Sequence, residues 1–271
     1  MSITLEQKQA LIAGDGQLPV RMAEQAVKNG LEVICISLSN DNYKDLKKVC
    51  SKVYSMAPGE LLKIKKTLAD EDVHQLTFLG KVHKGLILRR PKFDSMALEL
   101  IKSVKRLNDD KVMQLLVAEL EKINITVLDQ TLFIKNLMIP AGVLGNLKPT
   151  DEQINDVQYG YQMAKEMGKL DIGQSVVIKD KMVMAVEAIE GTDKCIERGG
   201  KIAKNGGCVV KVAKPNQDKR FDIPAIGLQT LKIMKKNHLS LIAVEANETI
   251  IVDQEKVINF ADKNNIVVMA V

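Results

Sequence analysis

Residues 31–38 spell LEVICISL, an almost unbroken apolar run with a single charged side chain, Glu32. A strand with one face in water alternates polar and apolar residues, whereas a strand covered on both faces reads as a continuous apolar run. The run therefore predicts a strand inside a parallel sheet that carries helices on both faces. This requirement constrains the fold of the first third of the chain more than any other feature of the sequence.

The segments around this run supply the helices and strands that such a sheet needs. Residues 10–13 predict a first strand, and Pro19 then opens a helix, where its missing N–H costs no hydrogen bond. Gly30 ends that helix just before the second strand. Further strands are expected at 53–56, 76–82 and 125–128, and helices at 58–72, 93–107 and 109–123. Alternation of this kind is typical of a parallel α/β sheet.

The length of the chain and an irregular stretch in its middle predict two domains. At about 150 residues per domain, the 271 residues correspond to roughly two domains. Residues 132–149 contain two prolines and two glycines and have no clean helical or strand period. We interpret this stretch as a linker between an N-terminal domain, residues 1–131, and a C-terminal domain, residues 150–271.

The second domain reads as a mixed α/β domain. Thr150 and Gln153 form a capping-box pattern at the start of a helix that ends at Gly168. Two apolar runs, 174–178 and 182–189, flank a charged three-residue turn and predict a hairpin. Further helices are expected at 192–204, 227–237 and 253–263, and strands at 208–212, 241–245, 249–252 and 266–270. The predicted fold class is therefore two-domain α/β.

Composition and charge exclude several classes of protein. The chain has 39 Lys and Arg against 34 Asp and Glu, a net charge of +5, with 3% aromatics and no Trp. Base-stacking platforms need basic and aromatic clusters, so no nucleic-acid partner is expected. No apolar run reaches the ~18 residues of a membrane span, and the N-terminus lacks a secretory-signal pattern. The four cysteines form no Cys-x-x-Cys pair, which favours reduced thiols in a cytoplasmic protein.

A glycine-containing turn follows the first predicted strand. Gly14 and Gly16 flank Asp15 just before the helix that Pro19 opens. Glycines let the backbone approach a ligand closely, and a helix N-terminus favours an anion such as phosphate. The pattern is not Gly-x-Gly-x-x-Gly, and no acidic residue ends the second strand to hold a ribose, which disfavours a dinucleotide. A tight turn without a ligand remains the alternative.

The segment 211–222, KVAKPNQDKRFD, is the most unusual stretch of the chain. It leaves the end of a predicted strand, where α/β proteins place ligands. Asp218 and Asp222 stand four residues apart and bracket Arg220, with Lys214 before them. Carboxylates beside cationic side chains are what a divalent cation and a phosphate need together. A solvated charged loop is the alternative interpretation.

A second acidic set lies at the end of the predicted hairpin. Glu187 falls within an apolar strand, where a charge is costly unless it is compensated. Glu190 and Asp193 follow it, and Thr192 is expected to be the N-cap of the next helix. Carboxylates beside a helix N-terminus suit a metal plus a phosphate. An inward-facing salt bridge with a capping Asp is the alternative.

Taken together and in order, four stretches resemble one known family over nearly the whole chain. That family is the two-domain, magnesium-dependent UDP-2,3-diacylglucosamine pyrophosphatase of bacterial lipid A biosynthesis. The resemblance implies a Rossmann-like N-terminal domain, a C-terminal α/β catalytic domain and a substrate held between them. It also implies hydrolysis to UMP and 2,3-diacylglucosamine 1-phosphate (lipid X), with water attacking the sugar-side phosphorus. The stretches are LIAGDGQLPV, DIGQSVVIKDKMVMAVEAIEGTDKCIERGG, VVKVAKPNQDKRFDIPAIGLQT and LIAVEANETIIVD.

The resemblance also implies roles for particular residues. Asp218, Asp222 and Arg220 are the expected catalytic residues, with Asp218 the first choice to orient or deprotonate the water. The two Asp would hold Mg²⁺ or Mn²⁺, with Glu187, Glu190 and Asp193 completing the metal shell. Arg220 and Lys214 suit phosphate oxygens. The full set expected to bind substrate or phosphate is Gly14, Gly16, Gln174, Thr192, Arg198, Lys211, Lys214 and Gln217.

Partners and rival functions complete these expectations. The positive charge suits transient contact with an anionic inner-membrane surface, and a homodimer stays open. A non-catalytic nucleotide-sugar-binding regulatory protein is the main rival, although binding UDP alone needs no acidic cluster. A nicotinamide-dependent reductase is disfavoured by the missing ribose-binding acid. Apolar side chains of the linker are expected to line an acyl-chain cleft, namely Leu132, Phe133, Ile134, Leu137, Met138 and Ile139.

Overall fold

The computed structural model describes residues 4–82, 92–103 and 109–271. These residues divide into two units. Unit 1 contains the described residues up to Lys135 together with Asp218–Asp222, and unit 2 contains Asn136–Gln217 and Ile223–Val271. A five-residue segment from the C-terminal half of the sequence therefore belongs to the N-terminal unit.

Unit 1 is built on a five-stranded parallel sheet. The strand order is β3-β2-β1-β4-β5, the order of the doubly wound fold. Strand β2 is buried over five of its six residues, as its continuous apolar run predicts. The strands are β1 (Lys8–Ala13), β2 (Glu32–Ser37), β3 (Lys52–Ser55), β4 (Gln75–Leu79) and β5 (Thr126–Val127).

The helices of unit 1 connect these strands. Pro19 lies in the first turn of α1, as expected. The sequence did not predict α2, because its only buried residue is Leu46 and four of its seven residues are charged. Residues 104–107 of the helix predicted at 93–107 lie outside the described residues. The helices are α1 (Leu18–Lys28), α2 (Tyr43–Val49), α3 (Leu61–Asp70), α4 (Ser95–Ser103) and α5 (Asp109–Glu121).

Unit 2 contains a six-stranded mixed sheet and a small two-stranded parallel sheet. Its strands are β6 (Gly142–Leu144), β7 (Ser175–Lys179), β8 (Met182–Val186), β9 (Cys208–Lys211), β10 (Ala225–Ile226), β11 (Leu241–Val244), β12 (Ile250–Ile251) and β13 (Val267–Ala270). The large sheet has the order β6-β13-β11-β9-β7-β8, and β10 pairs with β12. Strands β9, β11 and β13 are parallel, while β7 and β8 form the predicted antiparallel hairpin. The two-domain α/β fold class is therefore confirmed.

The segment predicted as a linker contributes to structure in both units. Gln130–Phe133 and Lys135–Leu137 are short 3-10 helices, and β6 pairs antiparallel with β13. Phe133, Ile134 and Ile139 are fully buried. The expectation that these three side chains line an acyl-chain cleft is therefore wrong, since their neighbours in the protein interior already cover them.

Helices cover both faces of the large sheet in unit 2. Helix α6 (Asp151–Lys169) begins with the predicted capping box of Thr150 and Gln153. It packs so closely on β9 that a Cβ added at Gly160 would lie 2.7 Å from Val210 Cγ2. Helix α7 (Thr192–Ala203) approaches the sheet on the opposite face through Gly199. The remaining helices are α8 (Leu228–Lys236) and α9 (Gln254–Lys263).

The alternation of side chains along β9 decides what each face carries at the strand's carboxyl end. Val210 packs into the cluster that contains α6 residues, whereas Val209 packs into the cluster that contains α7 residues. Because successive side chains alternate across a sheet, Lys211 lies on the α7 face. The loop that carries Lys214, Gln217, Asp218, Arg220 and Asp222 begins immediately after this point.

Candidate active site

In unit 1, the predicted glycine turn lies where β1 ends beside β4. The Gly14 N–H donates to the carbonyl of Leu79 at 2.8 Å, and Asp15 pairs with Lys81 through two backbone hydrogen bonds. A Cβ at Gly14 would lie 2.6 Å from the Lys81 carbonyl oxygen. Gly14 is therefore required by close packing of two backbone segments, whatever ligand the turn binds.

Side chains that the sequence analysis missed hold this turn from the β2–α2 loop. Asn42 is fully buried and donates to the carbonyls of Gly14 at 2.8 Å and Gly16 at 2.7 Å. The Gly16 N–H donates to the Asp41 carboxylate at 3.0 Å. The backbone donor that we expected to bind an anion is therefore already paired with an exposed carboxylate. Polar residues directly after a buried strand were the available signal.

In unit 2, the loop after β9 begins with a small turn closed by Gln217. The Lys214 N–H donates to Gln217 Oε1 at 2.8 Å, and the Gln217 N–H donates back to the Lys214 carbonyl at 3.1 Å. Lys214 Nζ donates to Asp171 Oδ1 at 2.8 Å. The ammonium group of Lys214 is thus held at the end of α6, within the loop region where a phosphate was expected.

The segment 218–222 is anchored in unit 1. Phe221 packs against the hydrophobic core of that unit, and the Lys219 carbonyl accepts a hydrogen bond from the Gln130 N–H at 2.9 Å. The Asp222 N–H donates to the Asp218 carbonyl at 3.0 Å. Asp218 and Asp222 are therefore brought together by one turn of backbone.

Asp218 and Arg220 form a two-pronged ion pair inside this segment. Arg220 Nε donates to Asp218 Oδ1 at 3.0 Å and Nη2 donates to Oδ2 at 2.8 Å, while Nη1 reaches Glu121 Oε1 at 3.2 Å. The Arg220 guanidinium holds the pKa of the Asp218 carboxyl below its usual value, and Asp218 in turn raises the pKa of Arg220. Asp218 is consequently a carboxylate at neutral pH, and its orientation is fixed by two charge-assisted bonds.

A second group of predicted residues meets at the end of the β7–β8 hairpin in unit 2. Thr192 Oγ1 donates to Glu187 Oε1 at 2.9 Å, and Lys211 Nζ donates to Thr192 Oγ1 at 3.1 Å and to the Ala225 carbonyl at 3.2 Å. Glu187 and Lys211 are only 8% and 7% exposed. The Thr192 hydroxyl thus bridges a buried carboxylate and a buried ammonium group.

Thr192 is not the N-cap that the sequence predicted. The N-cap of α7 is Gly191, and no side chain caps the helix there. The physical reason is that the Thr192 hydroxyl is directed to Glu187 and not to the backbone of its own helix.

The other predicted residues of this region are not hydrogen-bonded through their side chains to Glu187, Thr192 or Lys211 in the interactions described here. Arg198 Nη2 donates to the Val186 carbonyl at 2.7 Å and pairs with Glu190, which lowers the pKa of the Glu190 carboxyl. Asp193 is exposed in the first turn of α7. Gln174 accepts at its backbone carbonyl from the Val212 N–H at 3.0 Å.

The oxygen donors of the site suit a hard cation such as Mg²⁺. Among the described residues, no group of three or more His, Cys, Asp or Glu side chains stands ready to hold a metal. Within the same residues, Glu187 Oε2 and Gln174 Oε1 are buried oxygens without a hydrogen-bond partner. Mg²⁺ commonly takes one or two carboxylates and completes its shell with water and substrate phosphates. The unpartnered Glu187 oxygen and the Asp218 and Asp222 carboxylates, one backbone turn apart, are chemically compatible with that habit.

The sequence analysis also missed Glu245 and the two α6 side chains that bind it, Tyr161 and Lys165. Glu245, directly after β11, accepts hydrogen bonds from Tyr161 Oη at 2.9 Å, Lys165 Nζ at 2.8 Å and the Ala213 N–H at 2.7 Å. Glu245 lies in the stretch LIAVEANETIIVD, which contributed to the family resemblance. Its position directly after a buried strand was the signal that could have found it.

A five-stranded parallel sheet in one unit and a six-stranded mixed sheet in the other define a two-domain α/β protein. The particular family is the LpxI family, to which the chain belongs. Residues 8–137 match the LpxI N-terminal domain and residues 140–269 match the LpxI C-terminal domain. A relative from Caulobacter vibrioides, named UDP-2,3-diacylglucosamine pyrophosphatase LpxI, is 31% identical over 280 residues, which cover 97% of each chain.

Solved structures give a much weaker likeness. N5-carboxyaminoimidazole ribonucleotide synthetase from Thermotoga maritima is 13% identical, with a TM-score of 0.26, over 68% of this chain and 42% of that chain. N5-carboxyaminoimidazole synthetase from Staphylococcus aureus is 16% identical, with a TM-score of 0.27, over 76% and 47%. The chain spans less than half the length of either protein. Within the part of the chain that the structure describes, no helix is long and apolar enough to cross a membrane.

Proposed function

We propose that this chain hydrolyses the pyrophosphate bond of UDP-2,3-diacylglucosamine, giving UMP and 2,3-diacylglucosamine 1-phosphate (lipid X) in lipid A biosynthesis. The observation that carries the proposal is the 31% identity to the Caulobacter vibrioides protein, which covers 97% of both chains and leaves neither unit unmatched. The enzyme is accordingly a hydrolase that acts on a phosphorus-containing anhydride. Since the substrate and products belong to lipid A synthesis, the enzyme works in the cytoplasm at or near the inner membrane.

Asp218 and Asp222 would hold Mg²⁺, with Glu187, Glu190 and Asp193 as the further candidate ligands. When bound, the cation neutralises negative charge on the pyrophosphate oxygens. The support for this role is chemical, because the candidate donors are all oxygens and the two Asp are joined by one backbone turn. Mn²⁺ accepts the same kind of ligand and would support the same reaction in place of Mg²⁺.

Asp218 orients the attacking water in this proposal. Because the pKa of Asp218 is lowered by Arg220, the carboxylate accepts a hydrogen bond from water readily but holds a transferred proton weakly. Water positioned in this way attacks the sugar-side phosphorus, and UMP leaves. Hydrolysis in ¹⁸O-labelled water would then label lipid X and leave UMP unlabelled, whereas label in UMP would place the attack on the other phosphorus.

The cationic side chains bind the substrate phosphates. Arg220 has one guanidinium nitrogen, Nη1, directed at the exposed carboxylate of Glu121, which a phosphate oxygen can replace. Lys214 and Lys211 supply further positive charge in unit 2, with Gln217, Gln174, Thr192 and Arg198 as the polar contacts. Gly16 would present its N–H to the substrate, with Asp41 giving up that N–H, and Gly14 would keep the turn tight enough for the approach. The acyl chains of the substrate bring the enzyme into transient contact with the membrane surface.

Incubation with UDP-2,3-diacylglucosamine and Mg²⁺, with products identified by mass, tests the proposal. Release of UMP and lipid X at a rate that scales with enzyme concentration is the expected result. Tight binding of the substrate without turnover would instead favour a regulatory nucleotide-sugar-binding protein. An Asp45→Asn variant is a suitable control, because Asp45 forms only an exposed i,i+3 ion pair with Lys48 on α2.

A further inference from the structure

The peptide of Ala213 is held by side chains at the point where the β-ladder stops. The residue before it, Val212, still donates its N–H to the Gln174 carbonyl at 3.0 Å, as an extension of β9. The Ala213 N–H donates instead to Glu245 Oε2 at 2.7 Å, and the Ala213 carbonyl accepts from Lys165 Nζ at 3.0 Å. Ala213 is buried, so both of its backbone groups need partners within the protein. One carboxylate and one ammonium group satisfy both.

The two side chains that hold this peptide are themselves fixed. Lys165 Nζ donates to both oxygens of Glu245, at 2.8 and 3.0 Å, and Tyr161 Oη donates to Glu245 Oε1 at 2.9 Å. Tyr161 and Lys165 are four residues apart on α6 and therefore share one face of the helix. Lys165 and Glu245 are 25% and 13% exposed. Burial and Glu245 together raise the pKa of Tyr161 to about 12, which keeps the phenol a donor.

Stabilisation of the fold is a weak explanation for the Lys165–Glu245 ion pair. An ion pair taken out of water contributes little or nothing compared with apolar side chains of similar volume. The pair does, however, set the position of the last fixed peptide before the Lys214–Gln217 turn. From that turn the chain runs directly into Asp218.

We propose that Glu245 and Lys165 are positioning residues, which hold the Ala213 peptide and so set the placement of the Lys214–Gln217 loop for catalysis. The inference rests on the proposed function, because the loop matters for activity only if it carries phosphate-binding residues. Displacement of reacting groups by about 1 Å can cost 10²-fold in rate, so loss of the anchor would lower turnover while leaving the fold in place.

Two variants separate positioning from stability. In Glu245→Gln, the amide keeps the shape of the side chain and one acceptor oxygen but removes the charge that pairs with Lys165. In the double variant Lys165→Met/Glu245→Leu, no buried charge is left unpaired, but the Ala213 N–H and carbonyl both lose their partners, so part of the stability is lost as well. Glu166→Gln is the matched control, because Glu166 is the next residue on α6 and pairs only with exposed Lys169.

We expect Glu245→Gln and the double variant both to lower kcat at least ~10-fold, within the range that misplaced groups cost. The double variant should unfold cooperatively at a lower temperature than the wild type, because the buried Ala213 N–H and carbonyl lose their partners, and Glu166→Gln should match the wild type in both kcat and Tm. Wild-type kcat in the folded double variant, measured well below its Tm, would overturn the proposal, since the pair would then serve only the fold. Unchanged kcat in Glu245→Gln would overturn it as well.

Amide hydrogen exchange at Ala213 provides a readout that does not depend on the reaction. The wild type should protect this N–H, and the double variant Lys165→Met/Glu245→Leu, which has no acceptor there, should lose the protection while amides of β9 keep theirs. Equal protection in both proteins would show that Glu245 does not hold the peptide. If the wild type released no UMP, the proposed function would fail, and this exchange measurement would still decide whether the anchor exists.

Discussion

Asp218 with Arg220 in unit 1, and Glu187 with Lys211 in unit 2, combine the same charges in different ways. Asp218 is half-buried in a loop, and both its oxygens are bound directly by the guanidinium. Glu187 is buried at the end of a hairpin, and the Thr192 hydroxyl stands between it and the ammonium group of Lys211. One carboxylate is accessible and preorganised, whereas the other is enclosed within the fold.

This difference suits the Asp218 and Glu187 carboxylates to different roles. A partly exposed carboxylate can meet a water molecule or a metal without dismantling the protein around it. A buried carboxylate contributes to stability through its hydrogen bonds and is costly if one of them is lost. We therefore expect changes at Asp218 to act mainly on kcat, and changes around Glu187 to act on stability as well.

Removal of the metal should have the largest effect, because the pyrophosphate would lose the cation that is proposed to neutralise its charge. We expect no measurable hydrolysis in EDTA and full recovery with excess Mg²⁺, with Mn²⁺ also effective. Mg²⁺ titrations of Asp222→Asn and Glu187→Gln would then indicate which region binds the metal, since the variant that lacks a ligand needs more Mg²⁺. Full activity in the thoroughly chelated enzyme would contradict the magnesium proposal.

Asp218→Asn should produce the next largest loss. Removal of the carboxylate that orients the water should lower kcat at least ~100-fold, the low end for loss of a general base, with little change in Tm. The surface variant Asp45→Asn should behave as the wild type in both measurements. Turnover by folded Asp218→Asn within about threefold of the wild type would move the search for this role to Glu187, Glu190 and Asp193.

Arg220→Gln should raise KM and lower kcat together. The guanidinium is proposed to bind phosphate in both the ground state and the transition state, and it also orients Asp218. We expect a loss of about 10- to 100-fold in kcat/KM from steady-state kinetics, and Arg220→Lys should not restore it because an ammonium group lacks the planar fork. Arg21→Gln, which removes an exposed ion pair with Glu24 on α1, is the control. A change confined to kcat would assign Arg220 to orienting Asp218 alone.

Thr192→Val should have the smallest effect on activity and a measurable one on stability. The variant removes the hydroxyl that bridges Glu187 and Lys211, and leaves a buried carboxylate oxygen without its donor. We expect a loss of about 1–3 kcal/mol in the free energy of unfolding, measured by urea denaturation. Thr131→Val provides the comparison, because the Thr131 hydroxyl donates to Asp129, the N-cap of its own short 3-10 helix in unit 1. Equal stability of Thr192→Val and the wild type would show that the bridge contributes nothing to the fold.

Local sequence patterns predicted most of the architecture. The apolar run at Leu31–Leu38, the capping box at Thr150 and the β7–β8 hairpin depend on neighbouring residues, so their periods and caps are visible in the chain itself. Helix α2 and strand β6 were missed, because a polar helix with one buried residue and a three-residue edge strand leave too short a pattern to detect.

The charged residues that follow strands can be seen in the sequence. The partners of those residues depend on the tertiary structure. Nothing local indicates that 218–222 belongs to unit 1, which depends on Phe221 reaching that core and on an Arg220–Glu121 contact between residues 99 positions apart. Likewise, Glu245 meets Lys165 across 80 positions. Apolar side chains such as Phe221 must find a core, and mostly buried polar groups such as Glu245 must find partners, wherever the packed chain offers them. The whole fold makes that choice, and no single segment does.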